Sequence, residues 1–327
     1  MRKPIVAVTQ SLPSKVEAEL EQLFQTRFNR SKTPLSTKEI LKHSEGADVL
    51  VPTITDDLDY SVIVKLPTSV RLIANFGAGV DHIDCSAAEK RGIAISNTPR
   101  VLTEDTADLA FAFLLSLPRR LIEGERVTRM GRWSGWEPTF MLGTSFYGKN
   151  LGIIGMGRIG QAVARRAAGF GVKVHYHNRN RLERSIEEKL DAEWWSSLDD
   201  MLGEIDFLTV HCPLSNETKN LLNLERLSRL RPHVVVVNTA RGGIIDEEAL
   251  ADLIDAGKLA GAGLDVYENE PKIHSKLLQL DNVLTLPHLG SATHEARNAM
   301  GTRVIENIIA FAKGQPLPDG LRNGKDF

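Results

Sequence analysis

Three short segments carry side chains that could move a proton and hold a small anion. Asn238-Thr-Ala-Arg-Gly-Gly243 supplies a guanidinium, Asp265-Val-Tyr-Glu-Asn-Glu-Pro271 supplies carboxylates, and Pro287-His-Leu-Gly-Ser-Ala-Thr293 supplies an imidazole. Each follows an apolar run of the kind that forms a strand buried on both faces. Each is therefore expected at the C-terminal edge of a parallel sheet, where doubly wound folds bind ligands. Singly they say little, because a lone His is usually structural and a Glu before Pro is often only a loop. Together they form a chemical set. Imidazole titrates near neutrality and can give or take a proton. A carboxylate behind the ring fixes its tautomer and stabilises its charged form. An arginine can fork onto a carboxylate and steady charge developing on a nearby oxygen.

A fourth segment, Gly155-Met-Gly-Arg-Ile-Gly160, points to a nucleotide. The G-x-G-x-x-G pattern is weak alone. Here it follows a strand candidate at 151–154 and opens a helix with apolar Ile159, Val163, Ala167 and Phe170, the setting of a dinucleotide fold. Gly155 would make the tight turn, Gly157 would admit a pyrophosphate to the backbone, and Gly160 would let helix and strand pack closely. The N–H groups of the helix start, at Arg158 and Ile159, would face the phosphates. The next strand ends His175-Tyr-His-Asn-Arg-Asn-Arg181, without the acid that takes a ribose 2′-hydroxyl in NAD sites. Asn178 is neutral there, and Arg179 and Arg181 are placed to meet a 2′-phosphate. NADP(H) is thus the expected cofactor, with NAD(H) left open; the competing reading is two solvated charges at a strand end.

These segments need a scaffold, and 327 residues suggest two domains. Apolar residues at 42% and charged residues at 25% are ordinary globular usage, and a net charge of −2 gives no pull toward nucleic acid or an anionic membrane. Cys85 and Cys212 are too few for a disulfide framework or a zinc site, so no metal is expected. The longest apolar run, 109–117, is far shorter than the ~20 residues of a membrane span. The N-terminus leads straight into a strand without a secretory apolar region, so a cytoplasmic setting is expected.

The pattern reads as strands at 5–8, 48–51, 71–75 and 93–96, then at 151–154, 172–176, 207–210, 234–237, 262–265 and 283–286. Helices are expected over 12–28, from an N-cap at Thr103 to about Pro118, and over 293–313. Loops are expected at 131–138 and 314–327. Strands alternating with helices argue for parallel sheets.

The whole set resembles the D-isomer-specific 2-hydroxyacid dehydrogenases over nearly the full chain. Asn75-Phe-Gly-Ala-Gly-Val-Asp81, the glycine-rich turn, His211-Cys-Pro-Leu-Ser-Asn-Glu-Thr218 and the three segments above stand in that family's order and spacing. The loop Trp133-Ser-Gly-Trp136-Glu-Pro138 and the run from His288 to His294 are most similar to its glyoxylate/hydroxypyruvate reductase branch.

The resemblance implies a small 2-keto acid reduced to a D-2-hydroxy acid. His288 would be the acid/base, Glu270 its partner, and Arg241 the ligand of the substrate carboxylate and keto oxygen. Backbone N–H groups of Ala78 and Gly79 would grip the carboxylate. Asp265 would hold the nicotinamide carboxamide, while Thr106, Pro213, Thr218, Thr239, Ala240 and Gly290 would line the cofactor. A homodimer is implied, built on the helix from Thr103 and the tryptophan loop. Trp136 would reach the neighbouring subunit's active site, or else sit in the interface without touching substrate. NAD-dependent D-lactate dehydrogenase, 2-ketogluconate reductase and a non-catalytic dinucleotide-sensing protein are the alternatives.

The implied fold is α/β with two doubly wound parallel-sheet domains. A Rossmann-type nucleotide domain, 104–290, is inserted in a flavodoxin-like substrate domain, 1–103 plus 291–327, with the active site expected in the cleft.

Overall fold

Strand-forming runs of Val, Ile and Leu order two parallel sheets in a computed structural model that describes residues 2–31 and 33–321. In chain order the first unit contains β1 (Ile5–Val8), α1 (Ser14–Leu23), β2 (Gln25–Phe28), α2 (Thr37–His43), β3 (Val49–Val51) and α3 (Tyr60–Ile63). It continues with β4 (Leu72–Ala74), α4 (Cys85–Lys90) and β5 (Ala94–Ser96). The second unit begins with α5 (Thr103–Ser116), α6 (Leu121–Arg129), β6 (Asn150–Ile154), α7 (Arg158–Ala168), β7 (Lys173–His177), α8 (Arg184–Leu190) and β8 (Ala192–Trp194). It ends with α9 (Leu198–Leu202), β9 (Phe207–Val210), α10 (Leu224–Leu227), β10 (Val235–Asn238), α11 (Glu247–Asp255), β11 (Gly261–Leu264) and β12 (Val283–Thr285). The closing helix, α12 (His294–Ala312), belongs to the first unit, so the units comprise residues 1–102 with 292–327, and 103–291.

The first sheet runs β2-β1-β3-β4-β5 and the second β12-β11-β10-β9-β6-β7-β8. All strand pairs are parallel. These are the flavodoxin-like and Rossmann-type orders, each with a point where the order reverses, at β1/β3 and at β6/β9. The α/β double-sheet expectation is met.

The apolar run 234–237 shows why such strands are uniformly hydrophobic. Val234 and Val236 pack into the cluster with Leu208, Leu250 and Leu264, whereas Val235 and Val237 pack into the opposite cluster with Phe113, Ile153 and Phe207. Alternate side chains point to opposite faces, and both faces are covered. Burying each Val contributes about 1.5–3 kcal/mol before the conformational cost.

Several expectations need correction. The helix expected over 12–28 stops at Leu23; Phe24 is extended (φ −129°, ψ 171°), and β2 follows as an edge strand on β1. The apolar spacing of Val16, Leu20, Leu23 and Phe24 is helical, but the backbone beyond them gains a ladder of sheet hydrogen bonds instead. Thr103 lies inside the first turn of α5, not before it. The edge strand β8 and the helix α6 were not foreseen. α6 has no buried residue, and its apolar Leu121 and Ile122 are exposed rather than packed on a core. Of the expected irregular tail, 322–327 lies outside the described residues.

Candidate active site

The end of β11 runs into Asp265, whose carboxylate organises the turn that carries His288. Asp265 is fully buried; Oδ1 accepts from the Leu289 N–H at 2.6 Å and Oδ2 from the Gly290 N–H at 2.8 Å. Its backbone carbonyl accepts from the His288 N–H at 2.9 Å. His288 sits at φ +57°, a left-handed conformation costing a non-glycine residue about 1–3 kcal/mol. Three bonds from one aspartate hold that strained residue. Burial pushes the Asp265 carboxyl up, against the two N–H donors that favour its charged form.

The imidazole faces Glu270. His288 Nδ1 lies 2.9 Å from Glu270 Oε2, and Glu270 Oε1 accepts from the Tyr267 N–H at 3.0 Å. Burial would raise the Glu270 carboxyl. The His288 hydrogen bond and charge, the Tyr267 N–H and the Arg241 charge outweigh it and hold the group below the ordinary range. An ionised carboxylate only accepts, so Nδ1 carries the proton and Nε2 is the ring atom left for chemistry. The two side chains are 25% and 34% exposed, so a small molecule can reach them. The Tyr267 hydroxyl donates toward the Leu264 and Leu286 carbonyls, fixing the 265–270 segment to the strand ends.

Arg241 follows β10. The Asn238 side chain clamps its turn, donating to the Arg241 carbonyl at 2.7 Å and accepting from the Ala240 N–H at 3.0 Å. Arg241 Nη1 donates to the Ala240 carbonyl at 2.8 Å. A Cβ on Gly242 would collide with the Tyr267 backbone, so glycine there lets the arginine turn lie against the glutamate segment. The sequence thus brings Arg241, Glu270 and His288 together at one sheet edge.

At the β6/β9 reversal, the glycine roles separate. Gly155 has φ +96°, and a Cβ there would strike the Cys212 backbone; a Cβ on Gly160 would strike the Gly155 carbonyl. A Cβ on Gly157 would meet nothing within 4 Å. That open space lies at the N-cap of α7, which no side chain caps, whereas Asp246 caps α11 and Thr293 caps α12. An uncapped helix start beside open space suits a phosphate. Among the described residues, the Thr239 hydroxyl is buried without a partner.

At the end of β7, Asn178 Oδ1 accepts from the Met156 N–H at 2.7 Å, tying it to the glycine turn. Arg179 is exposed. Arg181, the second arginine expected there, has its guanidinium turned to the buried Glu187 carboxylate, with Nη2–Oε2 at 2.7 Å, so its charge is matched. Sequence distance hid this acid, which lies beyond the strand end on α8.

Thr106 donates to the Gly290 carbonyl at 2.9 Å, joining two expected cofactor residues. The Thr218 hydroxyl donates to the Pro213 carbonyl at 2.7 Å, closing their turn. Ala78 and Gly79 lie in the first unit; Asn97 Nδ2 holds the Ala78 carbonyl at 2.8 Å, and Asn75 Nδ2 holds those of Gly77 and Gly79 at 3.0 and 2.9 Å. Trp136 is 82% exposed. Tyr267, Asn238 and Glu187 are the residues that sequence reading missed. Among the described residues no His/Cys/Asp/Glu group could hold a metal, and no helix is long and apolar enough to cross a membrane.

Residues 111–290 match the NAD-binding domain of the D-isomer-specific 2-hydroxyacid dehydrogenases. The chain is 43% identical to a glyoxylate reductase of Korarchaeum cryptofilum over 323 residues, covering 98% of this chain and 96% of that one. It is 41% identical to a glyoxylate reductase of Thermococcus litoralis over 325 residues, covering 98% and 97%. Its structure aligns with a TM-score of 0.88 and 34% identity to an NADPH-dependent glyoxylate/hydroxypyruvate reductase of Sinorhizobium meliloti, solved with NADP and malonate, covering 98% and 97%.

Proposed function

The chain belongs to the D-isomer-specific 2-hydroxyacid dehydrogenase family, and on that premise we propose that it reduces small 2-keto acids, glyoxylate and hydroxypyruvate among them, with NADPH. The observation that carries the reading is the His288–Glu270 pair at 2.9 Å beside Arg241. A bound nicotinamide dinucleotide supplies the hydride. His288 gives the Nε2 proton to the carbonyl oxygen while Glu270 stabilises the charged ring. Arg241 binds the substrate carboxylate and steadies charge on the keto oxygen. Asp265 and Asn238 hold the two turns in place.

The dinucleotide would rest on the uncapped start of α7, at Gly157, Arg158 and Ile159, with Thr239, Ala240, Pro213, Thr218, Thr106 and Gly290 around it. The open space at Gly157 and the unpartnered Thr239 hydroxyl support that fit. Asn178 in place of a carboxylate and the exposed Arg179 support NADP(H) over NAD(H). A homodimer is supported by an uncovered apolar surface on α6 and the following loop, with Leu121, Ile122, Met130, Trp133, Trp136 and Leu142 exposed.

The test is a panel of glyoxylate, hydroxypyruvate, pyruvate and 2-ketogluconate with NADPH and with NADH. Turnover on glyoxylate and hydroxypyruvate with a higher NADPH kcat/KM is the expected result. Tight NADPH binding without turnover on any acid contradicts it.

A further inference from the structure

We infer that Glu187 makes Arg181 a brace and leaves cofactor selection to Arg179 alone. This rests on the NADPH reading above. The loop leaving β7 is anchored on both sides of Arg179. On one side Asn178 Oδ1 holds the Met156 N–H at 2.7 Å. On the other, the Arg181 guanidinium forks onto Glu187, with Nε–Oε1 at 2.9 Å and Nη2–Oε2 at 2.7 Å. The Tyr176 hydroxyl donates to the same carboxylate at 2.5 Å and accepts from the Leu182 N–H at 3.0 Å. The guanidinium lies over the Trp194 ring, 5.4 Å from its centroid.

The unequal exposure of the pair decides what Arg181 can do. Its own side chain is 57% exposed, but that of Glu187 is 7% exposed. Turning Arg181 toward a 2′-phosphate would strand a nearly buried carboxylate with only Tyr176 as donor, and an uncompensated buried charge is strongly disfavoured. Arg181 therefore stays with Glu187. Arg179 is exposed and stands outside that ion pair, so its guanidinium is the one left for a phosphate. Glu187 is thus a positioning residue, and two arginines that look equivalent in sequence have different tasks.

The experiment measures kcat/KM for NADPH and NADH with glyoxylate in the whole enzyme and in Arg179→Gln, Arg181→Gln and Glu187→Gln. The readout is the NADPH/NADH ratio, and NADH turnover is the internal control for folding. Arg179→Gln is expected to lower the ratio at least 30-fold. Arg181→Gln is expected to lower both efficiencies together, keeping the ratio within threefold of wild type. Glu187→Gln, which leaves the Arg181 charge uncompensated, is expected to keep or raise the ratio. Should Arg181→Gln fail to fold, Kd of adenosine 2′,5′-bisphosphate for Arg181→Lys replaces it, expected within threefold of wild type. A fall in the ratio for Arg181→Gln matching that of Arg179→Gln, or a fall for Glu187→Gln, overturns the inference. A wild-type enzyme that prefers NADH overturns the NADPH reading itself, before any variant is compared.

Discussion

Replacing Asp265 by Asn keeps the side chain's shape but removes one acceptor. In the folded chain both oxygens accept, from Leu289 N–H at 2.6 Å and Gly290 N–H at 2.8 Å. The carboxamide can accept from one and must turn its NH2 toward the other. One charge-assisted bond is lost, worth about 1.5–3 kcal/mol, and a buried N–H is left unpaired at about 1–3 kcal/mol. The left-handed conformation of His288 stores about 1–3 kcal/mol of strain. The loss is as large as the strain that the aspartate restrains, so the turn is expected to relax and carry the imidazole away from Glu270. Asp265→Asn should lower the unfolding free energy of the cofactor-free protein by about 2–4 kcal/mol, summing these effects after partial relaxation. Urea unfolding reads this, and omitting cofactor isolates the turn from any nicotinamide contact. Glyoxylate kcat should fall at least about tenfold, since small misplacements of a catalytic group cost that much or more. An unmoved urea midpoint with kcat within twofold of wild type would refute the reasoning.

Other perturbations read other parts of the fold. Burial pushes the His211 imidazole down to about 3 from 6.5, and its Nδ1 is sealed without a partner among the described residues. The unfolded chain then takes up the proton first, so stability is full above about 6.5 and is lost as pH falls toward 3. From about pH 7.5 to about pH 5 this amounts to at most ~2 kcal/mol, and urea titrations of His211→Gln should lack that share. Gly157→Ala should change the unfolding free energy by less than about 1 kcal/mol, yet raise the Kd for NADPH at least tenfold; Gly155→Ala should lose about 3 kcal/mol or more, because its backbone is left-handed and the site is filled. Light scattering should show a dimer for the wild type and a monomer for Ile122→Asp with Leu142→Asp.

The sequence made some of this legible because certain rules are local. Val234 to Val237 had to be a strand covered on both faces, and Gly155, Gly157 and Gly160 had to be a turn entering a helix. His288, Glu270 and Arg241 were legible as a set because the segment that carries each follows an apolar run. What stayed hidden depends on distant partners. β2 forms because β1 lies beside it, against the helical spacing of Leu20 and Phe24. Arg181 looked like a free cation because Glu187 reaches it from the next helix. The two bonds of Asp265 to the His288 turn join segments 24 and 25 residues apart, and no spacing rule encodes them.

The central claim is that His288, hydrogen-bonded to Glu270 and beside Arg241, protonates the reduced carbonyl. Its most direct test is kcat/KM for glyoxylate in His288→Asn, with NADPH affinity measured by fluorescence titration and the fold checked by circular dichroism. General acid catalysis contributes about 10²–10⁴-fold, so a loss in that range is expected while NADPH affinity and fold stay as in the wild type. A folded, cofactor-binding His288→Asn enzyme that reduces glyoxylate within tenfold of the wild-type rate would contradict the account.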